Sequence, residues 1–171
     1  IRDDRRQTTH DGEFTNIDTD RYRVGGELAI TSQWKLALEY SYRDADSKGL
    51  LFGTEFTDAT TVKAFTPRVM GNFDTPFGNA IATLGYDNQS SEYRSSLTFA
   101  QIEQHTDDVY AQLVIPVYTD LIATVGARQS RLDQENQISG AEHDDTQTVT
   151  TLGLSWQTTH ALRLFARRDD S

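Results

Sequence analysis

Side chains along much of this chain alternate strictly between apolar and polar. Tyr22, Val24, Gly26, Leu28 and Ile30 are interleaved with Arg21, Arg23, Gly25, Glu27 and Ala29. After Ser32 and Gln33 the pattern resumes, with Leu36, Leu38, Tyr40 and Tyr42 against Lys35, Ala37, Glu39, Ser41 and Arg43. A period of two residues predicts β-strands with one apolar and one polar face. The connections alternate too, a tight turn and then a long polar stretch. Short turns at one end and long connections at the other are the plan of a transmembrane β-barrel.

Composition allows this. No run of about eighteen apolar residues is present, so no membrane helix is expected. Only 36% of the 171 residues are hydrophobic, and the mean hydropathy is -0.60. A barrel strand shows lipid only every second residue, so its average looks soluble. The net charge of -10 argues against a nucleic-acid partner. There are no cysteines, hence no disulfide and no thiolate metal site.

About eight strands are predicted, near residues 20–31, 34–44, 60–73, 80–88, 108–117, 121–130, 148–157 and 162–167, with residues 1–7 as the end of a preceding one. The stretches 45–59, 89–106 and 131–147 read as long polar loops. Pro67 has no N–H to give a ladder, so a local irregularity is expected there. Trp34, Tyr40, Tyr42, Tyr86, Tyr118 and Trp156 lie toward strand ends, where aromatic girdles sit at headgroup depth. The fold class is therefore all-β, an antiparallel up-and-down transmembrane barrel, with residues 1–171 forming one barrel segment. The polar face carries Arg21, Arg23, Glu27, Lys35, Glu39, Arg43, Arg68 and Arg128 as candidate lumen-facing charges. Two alternatives stay open: a complete eight-stranded outer-membrane protein, and a soluble β-sandwich burying Leu36, Leu38, Leu113 and Ile115 against a second sheet.

The run Phe65-Thr66-Pro67-Arg68-Val69, followed by a Pro/Gly turn and Ala82-Thr83-Leu84-Gly85-Tyr86-Asp87, resembles the barrel of TonB-dependent outer-membrane receptors. So do Asp108-Val109-Tyr110-Ala111-Gln112, Thr124-Val125-Gly126-Ala127-Arg128 and Leu164-Phe165-Ala166-Arg167. The resemblance implies a 22-stranded barrel with an N-terminal plug, placed in the bacterial outer membrane. It implies uptake of a scarce solute of the ferric siderophore, haem or cobalamin class, driven by the TonB system through the plug. No plug segment and no TonB box is found in these residues, so the chain is expected to be an internal part of such a barrel. Expected partners are outer-membrane lipid and a small solute; no cofactor is expected. Tyr93 and Phe52, in long connections, are candidate solute contacts.

Other motifs carry little chemistry. Asp44-Ala45-Asp46-Ser47-Lys48-Gly49 with Glu55 has the spacing of a calcium loop, but Lys48 occupies a ligand position. A solvated acidic stretch is the preferred reading, and no metal site is expected. His10, His105, His143 and His160 lack metal-ligand spacing. Ser32-Gln33-Trp34-Lys35 matches Ser-x-x-Lys without its companion motifs. No nucleophile elbow, phosphate loop or dinucleotide fingerprint appears, and no enzymatic activity is expected.

Overall fold

The structure is a computed structural model that describes residues 13–170 in full and the backbone of residues 2–8. Ten strands form one antiparallel sheet: β1 (Arg2–Thr8), β2 (Phe14–Ala29), β3 (Trp34–Leu51), β4 (Thr54–Phe65), β5 (Arg68–Thr75), β6 (Gly78–Ser95), β7 (Ala100–Tyr118), β8 (Leu121–Asn136), β9 (Ala141–Thr159) and β10 (Leu162–Asp170). Neighbours in sequence are neighbours in the sheet, the up-and-down order of a barrel wall. Among the described residues β1 and β10 pair on one side only. The sheet is therefore open, which sets aside a closed eight-stranded barrel. It is also a single sheet, so nothing packs over Leu36, Leu38, Leu113 or Ile115 as a sandwich requires.

β4 and β5 are one stave broken at Pro67. Tyr40 pairs with Phe65 and Ala37 with Arg68, so the register is unchanged across the gap. Thr66 N–H donates to the Glu39 carbonyl at 2.9 Å, and Tyr86 N–H donates to the Pro67 carbonyl at 3.0 Å. The expected irregularity is therefore a missing donor, not a bulge.

The long loops expected at 45–59, 89–106 and 131–147 are mostly strand. β3, β6, β7 and β9 run for 18, 18, 19 and 19 residues. Among the described residues the far rim has tight turns at 52–53, 96–99 and 137–140. At about 3.3 Å per residue such strands are about 60 Å long. A tilted strand crosses hydrocarbon in roughly 9–11 residues. The surplus forms hairpins that project beyond the apolar zone. Their alternation fades because water lies on both faces there, while backbone pairing continues without it (Gln89 with Thr106, Tyr93 with Ile102). The Asp44-to-Glu55 stretch is accordingly a hairpin and no calcium loop; Asp44 accepts a hydrogen bond from Thr61 Oγ1 at 2.8 Å.

There is almost no hydrophobic core. Among the described residues only Ala37 and Ala80 are buried apolar side chains. A soluble domain of this length would bury most of its apolar surface. Here Val24, Leu28, Leu84, Val109, Leu152 and Leu154 all lie exposed on one face. The apolar run on that face stops at a comparable height on successive staves. Starting from the tight-turn rim, and inward of its residues Thr75 and Thr158, the first polar residues reached are Asp20, Asp44, Lys63, Asn88, Asp107, Gln129 and Thr150 on β2, β3, β4, β6, β7, β8 and β9. Each lies roughly ten residues from that rim, close to one membrane crossing. Aromatic pairs mark both borders: Tyr22 and Tyr42 at 6.2 Å between ring centroids, and Phe77 and Tyr118 at 5.6 Å.

Candidate functional site

The polar face carries the charges. Register places Arg21 opposite Arg43, Arg23 opposite Ser41, Glu27 opposite Ala37 and Lys35 opposite Ala29, all on the face away from Tyr22 and Val24. Arg68 and Arg128 share that face in the register row of Tyr110, Arg128 directly beside it and Arg68 across Gly85. Arg23 pairs with Glu39 at 3.3 Å. Arg128 forms a close ion pair with Asp108. Farther along, Arg167 meets Asp169 at 2.9 Å, and Thr151 Oγ1 donates to Asp169 at 2.6 Å. Among the described residues Glu27, Lys35, Arg43 and Arg68 have no side-chain hydrogen bond or ion pair. The eight sequence candidates thus share a face but form no single cluster.

Asp108 is the most constrained charge on this face. Its side chain is only 8% exposed, and Asp87 stands directly opposite it on β6. Its Oδ2 is held by Arg128, while its Oδ1 is buried with no donor. Like charges directly opposed on a sheet destabilise it, so Arg128 is needed to offset the carboxylate pair. Gly85 is the other local requirement. A Cβ there would fall on the Tyr110 ring, which lies across the glycine from the neighbouring stave.

A cavity of about 920 Å³ lies in the projecting hairpins, above the apolar zone. One register row supplies much of its lining: Ile17 on β2, Ser47 on β3, Asp58 on β4, Ser95 on β6 and Ala100 on β7. Ile138 closes it from the tip between β8 and β9. That tip is set by Asn136, whose Oδ1 accepts from Ile138 N–H and Ser139 N–H, with Gly140 at a positive φ of 67°. Most of the lining is polar, with Lys48 and Arg94 contributed by the adjacent rows, and Ile17, Ala100 and Ile138 supply the apolar surface. Asp58 was not a sequence candidate, since its setting depends on register with distant serines.

Tyr93 lies on β6, two residues from Ser95 and on the same face, which brings it beside this cavity. Phe52 does not join it. It occupies the β3–β4 tip, 87% exposed, with a φ of +50° beside Gly53 at +76°. Two successive positive φ values make a hairpin turn matched to strand twist. A non-glycine residue there is strained by about 1–2 kcal/mol. Phe52 N–H donates to Glu13 Oε1 at 2.9 Å, tying the tip to the start of β2. Of the sequence histidines, His105 is on β7, His143 on β9 and His160 in a turn, while His10 lies outside the described residues. No group of three metal-ligating side chains occurs among the described residues.

On the apolar face, just above the hydrocarbon border, Asp107 accepts from Tyr86 Oη at 2.5 Å and from Asn88 Nδ2 at 2.7 Å. The Tyr86 hydrogen bond, followed by that of Asn88, holds the Asp107 carboxyl below its ordinary range.

Many solved structures share this fold, and three are representative. The Ferric-Catecholate import receptor Fiu from K12 E. coli matches with a TM-score of 0.78 at 9% identity, over 93% of this chain and 33% of its own. The ferric citrate transporter FecA matches at 0.74 and 15% identity, over 92% of this chain and 28% of its own. The alcaligin outer membrane receptor FauA from Bordetella pertussis matches at 0.70 and 18% identity, over 86% and 27%. The chain thus spans about a third or less of the length of these structures. No curated protein sequence matches it. The family model described as TonB dependent receptor-like, beta-barrel, matches residues 1–167, and the chain belongs to that family.

Proposed function

We propose that these residues form part of the wall of an outer-membrane receptor that imports a scarce, iron-bearing solute, with energy reaching a plug through TonB. The observation that carries this reading is the band of exposed apolar side chains, of near-constant height, backed by a charged opposite face. The band fits hydrocarbon, and the charged face fits a wet lumen able to hold a plug and pass a solute. Fiu and FecA, two of the structures that share this fold, are named for ferric cargo, which favours iron over cobalamin. Arg21, Arg23, Glu27, Lys35, Glu39, Arg43, Arg68 and Arg128 line the lumen in this account, and those without a partner are available to a plug. Tyr93 and Phe52 meet the solute on its way in. The protein binds and translocates; it makes and breaks no covalent bond.

Uptake of radiolabelled ferric chelates, haem and cobalamin in cells with and without the intact receptor tests the proposal. Uptake of a ferric chelate that requires both the receptor and an energised inner membrane is expected. Receptor-independent uptake of all three, or uptake indifferent to collapse of the proton gradient, would overturn it.

A further inference from the structure

The hairpin cavity contains an acid whose needs the fold leaves unmet. Asp58 Oδ1 is shielded from solvent and has no hydrogen-bond donor, and no cation stands at ion-pair distance from Asp58 among the described residues. The nearest basic side chains, Lys48 and Arg94, also line the cavity, but they belong to the register rows on either side of Asp58, whose alternation turns them to the opposite face. One of them, Arg94, is already taken by Glu92. The cross-strand neighbours of Asp58 are Ser47 and Ser95, which are neutral; Ser95 is itself buried and accepts from Thr98 N–H at 3.4 Å. Asp58 is half-buried, and a carboxylate oxygen shielded from water with no donor is costly, so such an atom in a native fold calls for an explanation. The position supplies one, because Asp58 lines a cavity of about 920 Å³, in which Ile17, Ala100 and Ile138 provide apolar surface.

We propose that Asp58 is the anchor of a binding subsite for a protonated amine carried on an aliphatic body. The ammonium supplies the donor and the positive charge that Asp58 lacks. Ile17 and Ile138 cover the methylenes, and Ser47 and Ser95 accept the remaining N–H groups. An anionic head would meet the Asp58 charge with no compensating cation in its row. This proposal rests on the receptor reading, since it describes what the projecting hairpins hold before transport, but it concerns binding alone.

The test uses the intact receptor in detergent with three probes of equal length: hexylammonium, hexanol and hexanoate. Saturation-transfer NMR and calorimetry should detect hexylammonium binding, with hexanol weaker and hexanoate absent. Asp58→Asn should weaken hexylammonium roughly tenfold, the worth of one charge-assisted hydrogen bond, and leave hexanol unchanged. Ser47→Lys, which places a cation opposite Asp58 in register, should abolish hexylammonium binding while the receptor still migrates as a folded barrel on unheated gels. It also serves if the Asn variant fails to fold. Equal binding of all three probes, or hexylammonium binding indifferent to either variant, would overturn the proposal. Amine binding without energised uptake would sink the transport reading and leave the subsite standing; uptake without amine selectivity would do the reverse.

Discussion

Replacing Arg128 with Gln isolates the energetics of the charged wall. The Arg128 guanidinium holds one oxygen of Asp108, whose other oxygen is already buried without a donor, and Asp87 faces it across the strands. Removing one partner of a fully buried pair costs about 3–5 kcal/mol. Arg128 is half exposed, so water takes over part of its role, and the expected loss is roughly 1.5–3 kcal/mol. Asp108→Asn is a different perturbation. It removes a buried charge and its conflict with Asp87, while the half-exposed Arg128 rehydrates, so it should cost within about 1 kcal/mol. The double variant should match Asp108→Asn alone, because without the carboxylate Arg128 has nothing to neutralise. Urea titration of the intact barrel in detergent, followed by tryptophan fluorescence, measures all three. An Arg128→Gln cost smaller than that of Asp108→Asn, or a double variant whose cost is the sum of the two, would refute the reasoning.

Gly85→Ala should destabilise by about 1–3 kcal/mol in the same titration, because the new methyl collides with the Tyr110 ring; adding Tyr110→Ala should remove most of the further strain. Leu84→Arg, in the apolar band, should cost about 2–4 kcal/mol, whereas Thr83→Arg on the opposite face should stay within about 1 kcal/mol. Asp107 contributes a pH dependence of known sign. Its folded-state carboxyl lies below the ordinary value of 3.8, so its stabilising contribution is complete above that value and is lost as pH falls through the folded value. Tyr86→Phe removes the larger cause of the shift, so thermal melts of the two proteins should differ near neutral pH and converge well below 3.8; a gap unchanged at low pH would count against this.

The membrane-spanning half of each strand was legible because burial in hydrocarbon demands alternation, and Tyr22 to Ile30 or Val109 to Val117 display it plainly. The other half was not. In water a hairpin gains little from sorting its side chains, so residues 89–106 look like a loop although Gln89 pairs with Thr106 and Tyr93 with Ile102. The turns held a usable signal: Phe52-Gly53 and Asn136 to Gly140 are compact enough to close hairpins. The parity of the eight charged candidates followed from the same alternation that revealed the strands. Asp58 was invisible because nothing local marks it. Its isolation exists only once β3, β4 and β6 set Ser47 and Ser95 beside it.

With no native cysteine in these residues, single-cysteine spin labels can be placed one at a time along β7 in the intact receptor reconstituted in lipid. Collision with dissolved oxygen, which concentrates in hydrocarbon, against collision with a water-soluble nickel complex gives the solvent at each site. Labels at Val109, Ala111, Leu113, Ile115 and Val117 should be rich in oxygen collisions, those at Tyr110, Gln112 and Val114 should not, and the oscillation should vanish at Asp107 and beyond. Uniform access by the nickel complex along the whole of β7 would contradict the account.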